Sequence, residues 1–152
     1  MLKVDIIAAG HLRKGPLHDL FLEYKKRIKW SLTIHEIESK KSSPQAVQQE
    51  EADKILSKID SRATVVVMDE RGNGLKSIDF AKTLQNLQDS GERHIQFIIG
   101  GADGLTDEVR DRANILLSFG QQTWPHMMAR IMLLEQIYRA QQIIVGHPYH
   151  RE

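Results

Sequence analysis

Five times along this chain a short apolar run of strand length gives way to a segment with the period of a helix. The runs are Val4 to Ala9, Leu32 to Ile37, Thr64 to Met68, Ile95 to Ile99 and Ile115 to Leu117. Thr64 to Met68 is continuously apolar and β-branched, the pattern of a strand covered on both faces. Strands separated regularly by helices pair in parallel, because each crossover returns the chain to the same edge. The alternation predicts an α/β sandwich, a mostly parallel sheet of about five strands with helices on both faces. No linker or internal repeat divides the 152 residues, so a single domain over 1–152 is expected.

The helices carry their own signals. Pro16 opens the first, with Leu17, Leu20, Phe21, Tyr24 and Ile28 at helical spacing. Lys25, Lys26, Arg27 and Lys29 fall opposite; a solvated face and a phosphate-facing patch both fit. Ser43-Pro44 is an N-cap and first-turn pair for a helix reaching about Ile59, with Val47, Ile55, Leu56 and Ile59 inward. Ser77 reads as the cap of a third helix with Ile78, Ala81, Leu84 and Leu87 inward. Thr106 reads as the cap of a short fourth, with Asp107 and Glu108 where the helix dipole favours acids.

The last helix, opened by Pro125, is apolar on three sides. Met127, Ile131, Leu134 and Tyr138 form one stripe, Leu133 and Ile137 a second, Met128 and Met132 a third. A helix so broadly apolar is buried on more than one side. In a domain this small the second burial points to a subunit interface.

Ligands of parallel α/β sheets sit beyond the carboxyl ends of the strands. Three loops of that class stand out: DERGNG at 69–74, read as a Gly-rich turn, GGADG at 100–104 and FGQQTWP at 119–125. GGADG lacks the G-x-G-x-x-G spacing and GNGLKS lacks the glycine before its Lys that a P-loop has. On glycine content alone, tight turns and a cofactor cradle are both open. Trp124 either packs or faces a planar ring, and His126 reads as a packed residue. His147 and His150 lack a third ligand at telling spacing, so no metal is expected.

Composition narrows the class of protein. A net charge of +1 with 27% charged residues marks an ordered chain and neither demands nor excludes nucleic acid. Cysteine is absent, which removes disulfides, thiolate metal sites and Cys nucleophiles and points to a reducing cytoplasm. No apolar run approaches the ~18 residues of a membrane span, and the opening MLKVDIIAAG is too strand-like for a signal peptide.

Long motifs in order carry the argument further. They are Val65-Val66-Val67-Met68-Asp69, Phe97 to Leu105, Leu117-Ser118-Phe119, Thr123-Trp124-Pro125-His126, Arg130, Leu134 to Ala140 and Pro148-Tyr149-His150. With them the whole chain resembles the RlmH (YbeA-type) family of SPOUT-class methyltransferases, which act on large-subunit ribosomal RNA. Met68 and Trp124 depart mildly from the family pattern, as does Ala129; all three remain apolar.

The resemblance implies a SPOUT-type α/β knot, with the C-terminal segment threaded as a trefoil, and a homodimer. It implies S-adenosyl-L-methionine held by Met68, Gly100, Phe119, Gly120, Gln121, Gln122, Thr123 and Trp124. The implied reaction is methyl transfer to N3 of a pseudouridine in 23S ribosomal RNA, on assembled ribosomes. Tyr149, His150 and Arg151 are then the residues expected to position the substrate: Tyr149 on the base, His150 on a proton, Arg151 on phosphate. Two other readings stand beside it. One is a binding module of the same fold without turnover; the other is a flavodoxin-like nucleotide-binding protein, suggested only by the alternation.

Overall fold

The computed structural model describes residues 1–151, so Glu152 at the end of the tail lies outside the described residues. Five strands and five helices alternate: β1 (Lys3–Ala9), α1 (Pro16–Arg27), β2 (Ser31–Ile37), α2 (Pro44–Lys58), β3 (Thr64–Gly74), α3 (Ser77–Asp89), β4 (His94–Ile99), α4 (Asp107–Asp111), β5 (Ile115–Ser118) and α5 (His126–Ile144). The strands form one sheet in the order β2-β1-β4-β3-β5, and every pairing is parallel. All the loops that follow strands therefore emerge along one rim.

Strand alternation sorts the apolar side chains into two layers. Val4, Ile6 and Ala8 of β1 and Ile95, Phe97 and Ile99 of β4 meet Phe21 of α1, Phe80 and Leu84 of α3, and Ile131, Leu134 and Ile137 of α5. On the other face Ile7, Val65, Val67 and Ile98 meet Ala52 and Ile55 of α2 and Val109 of α4. The sandwich expected from the alternation is the observed one. Ser43 Oγ accepts from the Ala46 amide at 3.2 Å and Thr106 Oγ1 from the Val109 amide at 3.4 Å, so both caps form as read.

Three local readings are corrected. DERGNG is not a turn but the end of β3, where the register slips and Met68 and Asn73 both align with Leu117 of β5. Gly72 permits that slip, since a Cβ there would lie 2.6 Å from the Leu116 backbone. Ser77 does not cap α3: Lys76 holds the cap position, and Ser77 Oγ donates to Gln136 Oε1 of α5 at 2.7 Å. Ile78, read as inward, is 39% exposed; on α1 the apolar Leu17 and Leu20 are 39% and 44% exposed, and Phe21 and Ile28 anchor the helix.

The last helix is longer than its apolar stripe suggested, running to Ile144. It buries Leu133, Leu134 and Ile137 completely against the sheet and packs on both α1 and α3. Met128 remains 40% exposed, so the third apolar side is open. Two polar side chains of α5 are also buried. Gln141 Oε1 accepts from the Lys29 and Trp30 amides, and Arg130 is 1% exposed.

Candidate active site

The loops after β4 and β5 and the irregular end of β3 enclose a crevice of about 840 Å³ at the rim. Of the predicted cofactor positions, Met68, Gly100, Phe119, Gly120, Gln122, Thr123 and Trp124 line it. Gln121, between two lining residues, is exposed and does not. Ile99, Leu105, Leu117 and Pro125 complete the apolar part of the wall. Trp124 is 39% exposed, and its ring is tethered by Nε1 donating to the Phe119 carbonyl at 3.3 Å.

Backbone conformation shapes this wall. Gly120 takes φ +103°, the region open to glycine, and a Cβ there would meet nothing within 4 Å. Ser118 Oγ holds the turn from both sides, accepting from the Gly120 amide and donating to its carbonyl. Gly100 is required for a different reason than an open approach path: a Cβ there would lie 2.8 Å from Leu105 Cγ. The glycine lets Leu105 close beneath the loop.

Polar groups beyond the predicted donor positions also line the crevice. Gln48 of α2 donates from Nε2 to the Asp103 and Leu105 carbonyls, fixing the GGADG loop. Arg110 donates to Asp69 Oδ2 at 2.9 Å and to Asp107 Oδ1 at 2.9 Å, so its charge is matched locally. His126, at the start of α5, lines the crevice, and burial together with the Arg130 charge holds its imidazole below the usual range. Spacing gave no hint of the Gln48 and Arg110–Asp69 contacts, because each joins elements distant in sequence. Among the described residues no group of three His, Cys, Asp or Glu is arranged to hold a metal ion.

The tail is not in the crevice. It folds back on α5, where Tyr149 Oη donates to Glu135 Oε1 at 2.8 Å and its ring meets Tyr138 edge-on at 4.8 Å. Arg139 Nη2 donates to the same Glu135 oxygen at 2.8 Å, and its guanidinium lies 4.7 Å from the Tyr149 ring centre. Arg139 Nη1 donates to His150 Nδ1 at 3.1 Å; a guanidinium can only donate, so Nδ1 is the accepting nitrogen. Burial and the Glu135 hydrogen bond push the Tyr149 phenol up to about 12, so it is a donor at neutral pH and not a base. Arg151 is exposed. Glu135 lines a second, mainly apolar cavity of about 630 Å³ that shares Leu117 to Gly120 with the crevice. The tail and the crevice therefore flank one wall.

A family model described as a predicted SPOUT methyltransferase matches residues 2–150. The chain belongs to this SPOUT methyltransferase family. Family membership makes it a methyltransferase that uses a methyl donor. A protein of Rhodospirillum centenum named ribosomal RNA large subunit methyltransferase H is 49% identical over 151 residues, covering 99% of each chain. One of Paramagnetospirillum magneticum with the same name is 44% identical over 152 residues, again covering 99% of each. Among solved structures, a probable methylase family protein from Haemophilus influenzae Rd KW20 matches with a TM-score of 0.57 at 14% identity, covering all of this SPOUT chain and 72% of that one. At that identity it speaks for the fold.

Proposed function

We propose that this protein transfers the methyl group of S-adenosyl-L-methionine to N3 of a pseudouridine in large-subunit ribosomal RNA, acting on assembled ribosomes in the cytoplasm as a homodimer. The single observation that carries the reading is the crevice itself. Two loops and the irregular end of β3 close around one cavity of a SPOUT chain, and seven of the eight positions expected to hold the donor line it. Full-length relatives named as ribosomal RNA methyltransferases supply the substrate class. No helix is long and apolar enough to cross a membrane among the described residues.

The lining suits this donor. Met68, Phe119 and Trp124 offer apolar surface for adenine, and backbone groups of 100–104 and 119–120 offer edges for its polar atoms. Asp69, Glu70 and Asp103 bring carboxylates to a cavity whose arginines, 71 and 110, are both engaged by Asp107. That balance favours a cationic ligand over a phosphorylated one, and so argues against the nucleotide-binding alternative. When bound, the donor supplies a methyl group already activated for transfer.

The chain's task is then to orient the target base and dispose of its proton. Tyr149, its O–H given to Glu135, presents its ring and an accepting oxygen to the base. His150 presents an imidazole whose Nδ1 is fixed by Arg139, and exposed Arg151 suits a phosphate. Met128 on the open side of α5, with the adjoining apolar cavity, suits the second subunit. Threading of the C-terminal segment into a knot belongs to the same proposal; α5 leaves edge strand β5 yet packs on α1 as well as α3.

The test is to incubate the protein with methyl-labelled S-adenosylmethionine and large ribosomal subunits lacking the modification. Mass spectrometry of the RNA should then find one added methyl, on a pseudouridine. Donor binding without product would favour the binding-module reading, and label on another nucleotide would overturn the base assignment.

A further inference from the structure

The rim of the sheet has two halves, and the crevice uses only one. The loops after β1 and β2, residues 10–15 and 38–43, lie beyond it at the other end of the strand order. They carry Arg13, Lys14, Lys40 and Lys41 against a single acid, Glu38. Between them and the C-terminal half of α2 runs an open groove of about 810 Å³, lined by Arg13, Lys40, Lys54, Ser57 and Lys58. The crevice half is lined instead by Asp69, Glu70 and Asp103 together with Arg71 and Arg110, both held by Asp107, so the cationic excess of the rim lies at the groove.

Of the groove's two acids, only Glu38 leaves its carboxylate without an ion pair among the described residues, one charge against four cations. Glu36 is turned inward, where its Oε2 accepts from buried Arg130 at 2.6 Å and from the Leu12 amide at 2.8 Å. Lys54 is held by Glu50 at 3.2 Å and donates to the Glu38 carbonyl. Among the described residues Arg13, Lys40 and Lys58 are left with no carboxylate in ion-pair range. We infer that this groove is a docking surface for the phosphate backbone of the substrate RNA, holding a strand that continues along the rim to the crevice.

This rests on the RNA reading above. One buried guanidinium fixes the two halves relative to each other. Arg130 donates from Nη2 to the Gly10 carbonyl at 3.2 Å while its Nη1 holds Glu36, which in turn bonds the His11 ring at 2.9 Å. The helix that carries Arg130 starts at His126, in the crevice wall. Phosphates seated in the groove would thus be placed at a fixed distance from the donor.

The experiment compares R13E/K40E/K58E with K25E/K26E/K29E, a control of equal charge change at the far end of α1. Binding to large ribosomal subunits is measured at two salt concentrations, and donor affinity by calorimetry. The groove variant should bind subunits at least tenfold more weakly, with the slope of log affinity against log salt reduced by about two. Its donor affinity should stay within twofold, and the control should lose less than threefold in subunit binding. Unchanged binding and slope, or equal losses in both variants, would overturn the proposal. A photo-crosslinker placed at Ser57 in the otherwise unchanged chain should attach to RNA; attachment to a ribosomal protein, or none, would also overturn it. Wild-type protein that binds subunits through the groove but transfers no methyl would sink the methylation reading and leave this one standing.

Discussion

At the end of the sheet where the strands begin, Asp5 is 3% exposed and accepts from Gln96 Nε2 at 2.9 Å, with His94 Nε2 at 2.6 Å. His35 and Asp60 stand 3.9 Å from the same pair. At the opposite end the crevice's carboxylates stand among two arginines, and His126 is its one imidazole. By residue type alone the first cluster looks the more catalytic. Yet it lines none of the three cavities, and its polar atoms satisfy the Asp60 amide and the Lys58 carbonyl. The comparison teaches that position in a parallel sheet outweighs chemical richness. Strand beginnings are closed by side chains that hold the sheet together, and strand ends release loops around a cavity.

The sharpest way to break this comparison is to remove the tail. Deleting residues 147–152 should lower methyl transfer by about two to three orders of magnitude while donor affinity by calorimetry stays within twofold. Unchanged turnover would return the Tyr149–Glu135 contact to a packing role. Next, Gly100→Trp should weaken donor binding by about a hundredfold, about 2.8 kcal/mol, because the ring displaces Leu105 into the crevice. Asp5→Ala should do the reverse. It should destabilise the fold by about 2 kcal/mol in urea unfolding, because His94 Nε2 loses its partner and Gln96 Nε2 one of its two acceptors, without changing donor affinity.

Glu51 tests the boundary between the two ends. It lies beneath the GGADG loop, 9% exposed, and its Oε1 has no hydrogen-bond partner. Burial, and then the Asp103 charge, raise its carboxyl above the usual range. Glu51→Gln should therefore stabilise the protein at pH 7 by about 1 kcal/mol, read as a higher Tm.

The smallest effect is the pH dependence of the intact chain. His126 titrates lower in the folded state than its ordinary 6.5, so just below pH 6.5 the unfolded chain binds a proton that the folded one refuses. Stability should fall as pH drops through that window. Burial works against ionised Glu36, but the Leu12 amide, Arg130 and His11 outweigh it and hold the carboxyl below 4.5; its contribution, present above 4.5, is lost on further acidification. His126→Asn should flatten the upper part of the decline.

Much of the fold was legible because strand runs and helix periods are local. The five apolar runs match the observed strands to within a residue at most ends, and Ser43 and Thr106 cap where their spacing to the next turn requires. The misreadings share a cause. DERGNG has turn composition, but pairing with β5, some 45 residues on, keeps it in the sheet. Arg130 entered only as a motif residue, and nothing local marked it as buried, since its partner Glu36 is 94 positions away. The donor positions came from resemblance and not from spacing, and the lining residues Gln48 and Arg110, both on helices, were invisible until the chain was folded.

The central claim is that the donor sits among the loops at the strand ends. Titrating S-adenosylmethionine into isotopically labelled protein and following backbone amides by NMR tests it at residue level. The account predicts shifts concentrated at 68, 100–104 and 119–124, with the amides of Asp5, His94 and Gln96 silent. Shifts centred on that second cluster, or none at saturating donor, would contradict it.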